Sequence, residues 1–165
     1  MPETQKKSPF YSQGLYFACK RCSACCRFDS GYVFLSEKDV SLLLAELNIT
    51  QEKFIDLYCR WVPSENGKFE LSLMEKSNYD CIFWEAVPGT GIAENSGGGC
   101  SVYRARPLQC RAFPFWSSIV CNKIAWEVTG RNCPGMDKDV FHTGDSIEKW
   151  LAQRQNEPIM SKGVC

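Results

Sequence analysis

The sequence predicts a small α+β domain, and three observations lead to this prediction. The chain has 165 residues, 44% of them hydrophobic, which suffices to bury one sizeable core. Apolar residues recur at helical spacing in segment 36–61, whereas several later segments alternate apolar and polar residues as strands do. Four cysteines fall within the stretch from Cys19 to Cys26. We therefore expect an amino-terminal cysteine cluster, an α-hairpin, a β-rich half and a carboxyl-terminal helix.

The first residues of the chain differ in composition from the rest. Residues 1–13 are mostly polar and include two prolines, so we expect a flexible arm there. No internal repeat and no linker follows this arm, which predicts a single domain over residues 14–165. The stretch "GYVFLS", residues 31–36, alternates as a short strand does.

Two consecutive helices are predicted after this strand. Ser36 followed by Asp39 is typical of a helix N-cap. The apolar face of this first helix, of about three turns, consists of Val40, Leu43, Leu44 and Leu47. Thr50 caps a second helix through "QEKFIDLYCRW", residues 51–61, which ends before Pro63 because proline cannot continue it. The two helices form the predicted α-hairpin.

The segments after Pro63 predict mainly strands. The Asn-Gly pair of "ENGK" indicates a tight turn before the alternating strand "KFELSLM". The glycine-rich stretch "VPGTGIAENSGGGC" predicts a long loop, and no Gly-Lys-Ser/Thr follows that would make it a phosphate-binding loop. "IVCNKIAWEV" predicts a pair of strands, and "DSIEKWLAQR" predicts a terminal helix capped by Asp145 or Ser146.

Composition restricts the compartment and the classes of partner. No segment has the apolar core of a signal peptide or the length of a membrane span, so we expect a cytoplasmic protein. Thiols stay reduced there, and the odd total of 11 cysteines argues against a complete disulfide framework. Nineteen basic and nineteen acidic residues predict neither a nucleic acid nor a membrane as partner.

The cysteines divide into two groups. Cys59 in the second helix and Cys121 in a strand are interpreted as core residues, and Cys165 as a tail thiol. The other eight, several of them beside glycine, proline or arginine at predicted turns, are candidate metal ligands: Cys19, Cys22, Cys25, Cys26, Cys81, Cys100, Cys110 and Cys133. Eight thiolates fill two four-coordinate centres, which would be two zinc ions or, alternatively, two iron or [4Fe-4S] centres.

The adjacent pair Cys25 and Cys26 favours two centres over one. Neighbouring side chains on an extended backbone point in opposite directions, so two consecutive thiolates would serve different metals. Six arginines lie within a few residues of these cysteines, and their positive charge would offset the negative charge of metal–thiolate centres. These arginines are Arg21, Arg27, Arg104, Arg106, Arg111 and Arg131.

The order of these motifs resembles a known family. The run C-x-x-C-x-x-C-C, then Cys81, "CSVYRARPLQCRAFPF" and "CPG" are similar to the CxxCxxCC family of zinc- or iron-chelating cysteine-cluster proteins, from Cys19 to Gly135. The resemblance implies metal binding by the same eight cysteines. It also marks a shared signature without assigning roles to its residues: Tyr103, Arg106, Pro107, Arg111, Phe113 and Pro114.

We expect a protein that coordinates zinc or iron through cysteine thiolates, in a structural, storage or delivery role, with metal ions as its partners. The alternative is an iron–sulfur redox protein or a component of protein methylation, because the resembled family includes a flagellin lysine methylase. The chain shows no pair of nucleophile and base, and its one histidine, His142, is interpreted as a surface residue. This favours a binding protein over an enzyme.

Overall fold

A computed structural model describes residues 8–86 and 98–163 of the chain. The helices of these residues are α1 (Glu37–Leu47), α2 (Gln51–Tyr58), α3 (Leu108–Ala112), α4 (Ser117–Val120), α5 (Lys123–Gly130) and α6 (Gly144–Asn156). The strands are β1 (Leu15–Phe17), β2 (Cys59–Pro63), β3 (Phe69–Leu73), β4 (Trp84–Ala86), β5 (Gly98–Cys100), β6 (Met136–His142) and β7 (Ser161–Lys162). Helices combined with small antiparallel sheets confirm the predicted α+β class.

The described residues divide into two compact units. Unit 1 contains residues 8–20 and 114–153, and unit 2 contains residues 21–86, 98–113 and 154–163. Of the eight candidate ligands, Cys19 and Cys133 belong to unit 1, and the other six belong to unit 2. Most of the predicted glycine-rich loop, residues 87–97, lies outside the described residues.

The α-hairpin of unit 2 begins as predicted. Ser36 and Asp39 form a capping box: Ser36 Oγ accepts from the Asp39 backbone N at 3.1 Å, and Asp39 Oδ2 accepts from the Ser36 backbone N at 3.0 Å. Thr50 caps α2 by accepting from the Lys53 backbone N at 3.4 Å. Both predicted caps are therefore confirmed.

The second helix is shorter than predicted. It ends at Tyr58, and the chain continues directly into β2, where Cys59 pairs with Leu73 of β3. The predicted helix through Trp61 is wrong because residues 59–63, which include Trp61 and Val62, gain hydrogen bonds by pairing with β3. The tight turn at Gly67, with φ of 72°, joins β2 to β3 as predicted.

Two small sheets complete unit 2. β3 lies between β2 and β7 in one antiparallel sheet, and β4 pairs with β5 in the other. The predicted strand over residues 31–36 is reduced to isolated bridges, from Phe34 to Ser72 and from Ser36 to Ile159. The core beneath these elements includes Phe54, Leu71 and Phe83.

Cys59 lies within this core. It is 8% exposed, and burial raises the pKa of its thiol to about 12. The interpretation of Cys59 as a small core residue is confirmed, although it begins a strand and does not lie in a helix.

Unit 1 contains a correction to the predicted secondary structure. Residues 117–130 form α4 and α5, so the predicted pair of strands is wrong. The side chain of Asn122 caps α5 by accepting from the Ala125 backbone N at 2.9 Å, and Trp126 is the buried residue of that helix. Cys121 lies between the two helices and is exposed, so its interpretation as a core residue is also wrong.

β1 and β6 form the sheet of unit 1, with Leu15 opposite His142 and Phe17 opposite Met136. The helix α6 begins earlier than predicted. Thr143 Oγ1 accepts from the Ser146 backbone N at 3.2 Å, so neither predicted cap, Asp145 or Ser146, is correct.

The predicted arm is described only in part. Residues 1–7 lie outside the described residues. Phe10–Gln13 form a 3-10 turn, and the buried Tyr11 donates a hydrogen bond from its hydroxyl to Glu148 at 2.6 Å. Burial, together with the Glu148 carboxylate, raises the pKa of Tyr11 to about 12.

Gly135 permits a close approach between two segments of unit 1. The Ala18 backbone N donates to the Gly135 carbonyl at 3.0 Å, and a Cβ added at Gly135 would lie 2.2 Å from the Ala18 carbonyl oxygen. A side chain larger than hydrogen therefore forces the segments next to Cys19 and Cys133 apart.

We predict that Gly135→Ala lowers the free energy of unfolding by about 1–3 kcal/mol, because the backbone must move to admit the methyl group. Urea unfolding measures this loss, and hydrogen exchange of residues 15–18 should increase with it. Gly99→Ala is the control, since a Cβ there meets nothing within 4 Å. Equal stability of the two variants would contradict the prediction.

Candidate metal site

The loop that carries Cys22, Cys25 and Cys26 has an unusual backbone. Arg21, Ser23 and Phe28 have φ of 52°, 62° and 78°, in the left-handed region that residues other than glycine rarely adopt. Ser23 precedes the 3-10 turn Ala24–Cys26, and the Cys26 backbone N donates to the Ser23 carbonyl at 3.0 Å. Turns of this kind direct backbone N–H groups into a concavity that suits an anionic centre.

The pair Cys25 and Cys26 lies inside that turn. The backbone there is not extended, so the predicted placement of the two side chains on opposite faces is wrong. The Cys26 thiol donates to the Ser23 carbonyl at 3.2 Å, and its interaction with Cys25 lowers the pKa of that neighbour. The argument for two metals from this pair therefore loses its geometric basis.

Two contacts attach the loop to the segment that carries Cys81. The Cys81 backbone N donates to the Cys26 carbonyl at 2.8 Å. Beside it, Arg27 Nε donates to Oδ1 of the buried Asp80 at 2.9 Å, and the Arg27 guanidinium lies over the Trp84 ring at 3.7 Å. A backbone hydrogen bond and a largely buried ion pair thus hold Cys26 next to Cys81.

The other two thiols of the site come from β5 and α3. Cys100 pairs with Trp84 across the β4–β5 ladder, and the Trp84 backbone N donates to the Cys81 carbonyl at 2.8 Å. Cys110 lies within α3, not at a turn as predicted, and Pro107 occupies the N-cap of that helix. Cys100 is thereby joined through Trp84 to Cys81, and Cys110 comes from a separate helix.

Four thiols form a mutually interacting group that we call the four-thiol cluster: Cys25, Cys81, Cys100 and Cys110. The negative charge of one thiolate acts on the pKa of another in every pair of this group. Burial is the main cause of the raised pKa of Cys81, Cys100 and Cys110, and the neighbouring thiolates add to it.

Cys25 differs from the rest of the cluster. It is exposed at the surface, and its pKa is lowered to about 7, first by the hydrogen bond from Cys26 and further by the Arg106 guanidinium. The same hydrogen bond raises the pKa of Cys26, and burial and the negative charges of Cys25, Cys81 and Cys110 raise it further. Cys25 therefore carries the thiolate of the pair, and Cys26 remains its proton donor.

Arg106 is the arginine whose charge acts on the cluster. It favours the thiolate forms of Cys25, Cys100 and Cys110, and its guanidinium lies 3.9 Å from the centre of the Tyr103 ring. Arg111, in contrast, forms an ion pair with the buried Asp39 at 3.8 Å.

The remaining candidate ligands lie outside the cluster. Cys22 is exposed in the loop before Cys25. In unit 1, Cys19 is exposed and Cys133 is half-buried, and the hydrogen bond from Ala18 to Gly135 sets their segments side by side. Within residues 8–86 and 98–163, no three Cys, His, Asp or Glu side chains form an arrangement that could hold a metal ion.

Sequence reasoning assigned no role at the site to two buried carboxylates, Asp39 and Asp80. Each is the partner of an arginine next to a candidate ligand: Arg111 follows Cys110, and Arg27 follows Cys26. The arginines beside the cysteines are visible in the sequence. Their acidic partners are not, because each pair joins residues that lie far apart in the chain.

His142 has a structural environment in unit 1. Its Nε2 lies 2.9 Å from the Phe17 carbonyl oxygen, and its ring lies 4.8 Å from the Phe115 ring. It is half-buried, so its interpretation as a surface residue is wrong.

A family model matches residues 18–134 of the chain, a range that contains all eight candidate cysteines. The chain belongs to the CxxCxxCC family. The description of this family is "Putative zinc- or iron-chelating domain", which agrees with the resemblance found in the sequence. No solved structure matches the chain. No helix in the described residues has the length and apolar character needed to cross a membrane.

We predict that Cys26→Ala raises the pKa of Cys25 in reduced, metal-free protein, because it removes the thiol that donates to the Cys25 sulfur. Cys26→Ser supplies a hydroxyl donor and should keep the pKa near 7. The measurement is the rate of Cys25 alkylation by iodoacetamide against pH, located by peptide mass mapping. Wild-type reactivity in the alanine variant would contradict the assigned hydrogen bond.

Proposed function

We propose that the four-thiol cluster binds a zinc or iron centre through Cys25, Cys81, Cys100 and Cys110. The observation that carries this proposal is that hydrogen bonds join the segments of these cysteines: the Cys81 backbone N donates to the Cys26 carbonyl, and Trp84, which donates to the Cys81 carbonyl, pairs with Cys100. The effect of the four thiols on one another's pKa supports it. Tetrahedral zinc and iron–sulfur clusters both take four cysteine thiolates. The donor set of the cluster therefore fits the metals in the family description.

The charges around the cluster also suit a metal–thiolate centre. A zinc ion with four thiolates carries a net charge of about −2. Arg106 and the backbone N–H groups of Cys25, Phe83 and Val102 supply compensating positive charge. The thiols with raised pKa values are protonated at neutral pH without metal, so binding must release protons and strengthen as the pH rises.

Binding requires local movement of side chains. The four thiols interact without forming a finished coordination shell in the described residues, and rotation of cysteine side chains is the simplest way to bring their sulfur atoms together. Cys26 fits the role of a hydrogen-bond donor to the Cys25 sulfur, the kind of outer contact that tunes a thiolate ligand. We therefore propose that Cys26 hydrogen-bonds to a ligand of this centre and does not bind its metal.

A structural role is the best supported of the three roles considered. The proposed ligands lie on the cysteine loop, before β4, at the end of β5 and in α3. A metal held by all four would cross-link these segments and contribute its binding free energy to folding. Cys25 is exposed, which would allow a bound metal to exchange with the solution. This exposure favours storage and delivery as the other two roles.

The iron–sulfur alternative rests on the same compensating groups, because backbone N–H concavities also occur at iron–sulfur sites. A link to protein methylation stays a prediction from the family resemblance. The expectation of two metal centres also stays a prediction, and the metal stoichiometry decides it.

We predict about one equivalent of zinc per chain for a single four-thiolate site, or iron with matching sulfide for a cluster. Elemental analysis of anaerobically purified protein, with its visible spectrum, measures this. Colourless zinc protein selects the structural, storage or delivery reading, whereas a brown chromophore selects the iron–sulfur reading. Two equivalents would support the second centre. Folded protein without metal and with titratable thiols would refute the proposal.

We predict that Cys81→Ser, Cys100→Ser and Cys110→Ser each weaken zinc affinity by more than about 100-fold, because each removes a ligand and leaves the other thiolates without compensation. Competition with a chromogenic chelator measures the affinity. Cys121→Ser is the matched control, since Cys121 is an exposed thiol of unit 1. Equal losses in all four variants would show that the ligands are wrongly assigned.

A further inference from the structure

We infer that Asp39 is a positioning residue for the metal centre: it fixes the helix that carries Cys110. This inference rests on the proposed function. Asp39 is fully buried, with 0% exposure. Its Oδ2 accepts from the Ser36 backbone N at 3.0 Å and from Ser36 Oγ at 2.8 Å. Its Oδ1 accepts from the backbone N of Leu108 at 2.7 Å. One carboxylate therefore serves two helices.

The helix α3 depends on this contact. It has five residues, too few to be stable alone, and its N-cap, Pro107, forms no side-chain capping hydrogen bond. Oδ1 of Asp39 replaces the missing cap from a position 69 residues earlier in the chain. The start of α3, two residues before Cys110, is thereby tied to the start of α1.

A second path leads from Asp39 to the cation beside the thiols. Arg111 Nη2 lies 3.8 Å from Asp39 Oδ1, and Arg111 Nε donates to the Arg106 carbonyl at 2.9 Å. Arg106 is the arginine whose charge acts on three thiols of the cluster. The buried carboxylate thus orients both a proposed ligand and the arginine that compensates its charge.

Gln109 adds an anchor on the other neighbour of Cys110. Its Oε1 accepts from the Phe34 backbone N at 3.0 Å, and its Nε2 donates to the Tyr32 carbonyl at 2.7 Å. Both residues that flank Cys110 are therefore held by side-chain contacts. Unlike Gln109, Asp39 carries a charge. Its Oδ2 accepts from Ser36 in the cap of α1 and its Oδ1 accepts from Leu108 in α3, so mutations can separate these two contacts.

The test compares Asp39→Asn with Ser36→Ala in the full chain, using Zn²⁺ in competition with a chelator and Co²⁺ as a spectroscopic probe. Asparagine has one acceptor oxygen and no negative charge. In either orientation it loses the ion pair with Arg111, and it cannot accept from both Ser36 and Leu108. Ser36→Ala removes the hydroxyl of the α1 cap and leaves the contact to Leu108. We expect Asp39→Asn to weaken Zn²⁺ binding about 10- to 100-fold and to reduce the Co²⁺–thiolate charge-transfer absorption. Ser36→Ala should lower thermal stability and change neither metal readout.

Wild-type affinity and an unchanged Co²⁺ spectrum in Asp39→Asn would overturn the inference, as would an equal loss of affinity in Ser36→Ala. If Asp39→Asn does not fold, Asp39→Glu takes its place, because it keeps the charge but moves the carboxylate by one methylene group, so that the contacts to Ser36 and Leu108 cannot both be kept. Weaker Zn²⁺ binding in that variant supports the inference, and unchanged binding refutes it. A wild-type protein that binds neither metal refutes the proposed function and this inference together.

Discussion

Four ionisable thiols that lie close together create the constraint on which unit 2 is organised. Thiolates repel one another, and burial further disfavours their charged forms, as the raised pKa values of Cys81, Cys100 and Cys110 show. The protein supplies a guanidinium from Arg106 and a turn with unusual backbone angles at Ser23. In the proposed function, a metal cation would remove the repulsion that protons otherwise relieve.

Buried carboxylates hold this group in place from a distance. Asp80 pairs with Arg27 beside Cys26, and Asp39 meets the helix of Cys110. Neither is among the predicted ligands, and both act by satisfying donors that would otherwise be unpaired in the interior. The positions of Cys26 and Cys110 therefore depend on the contacts of the buried Asp80 and Asp39.

Local signals in the sequence predicted the features that depend on local interactions. The capping box at Ser36, the cap at Thr50 and the turn at Gly67 involve residues within a few positions of one another, so their patterns carried the information. α5 was missed because Asn122 was not considered as a cap, and β2 because pairing with β3 outweighed helix continuation at Cys59. Which cysteines meet depends on contacts between distant segments, which spacing alone does not encode.

The position of β7 has a consequence for biosynthesis. Ser161 and Lys162 pair with β3, so the three-stranded sheet of unit 2 cannot close until those residues have been translated. At about 5–20 residues per second, the interval between Phe113 and Lys162 lasts about 2–10 s. During that interval every cysteine up to Cys110 has already been synthesised while its scaffold is incomplete. Cys59, the buried thiol of β2, is thus synthesised long before the sheet that contains it has all its strands.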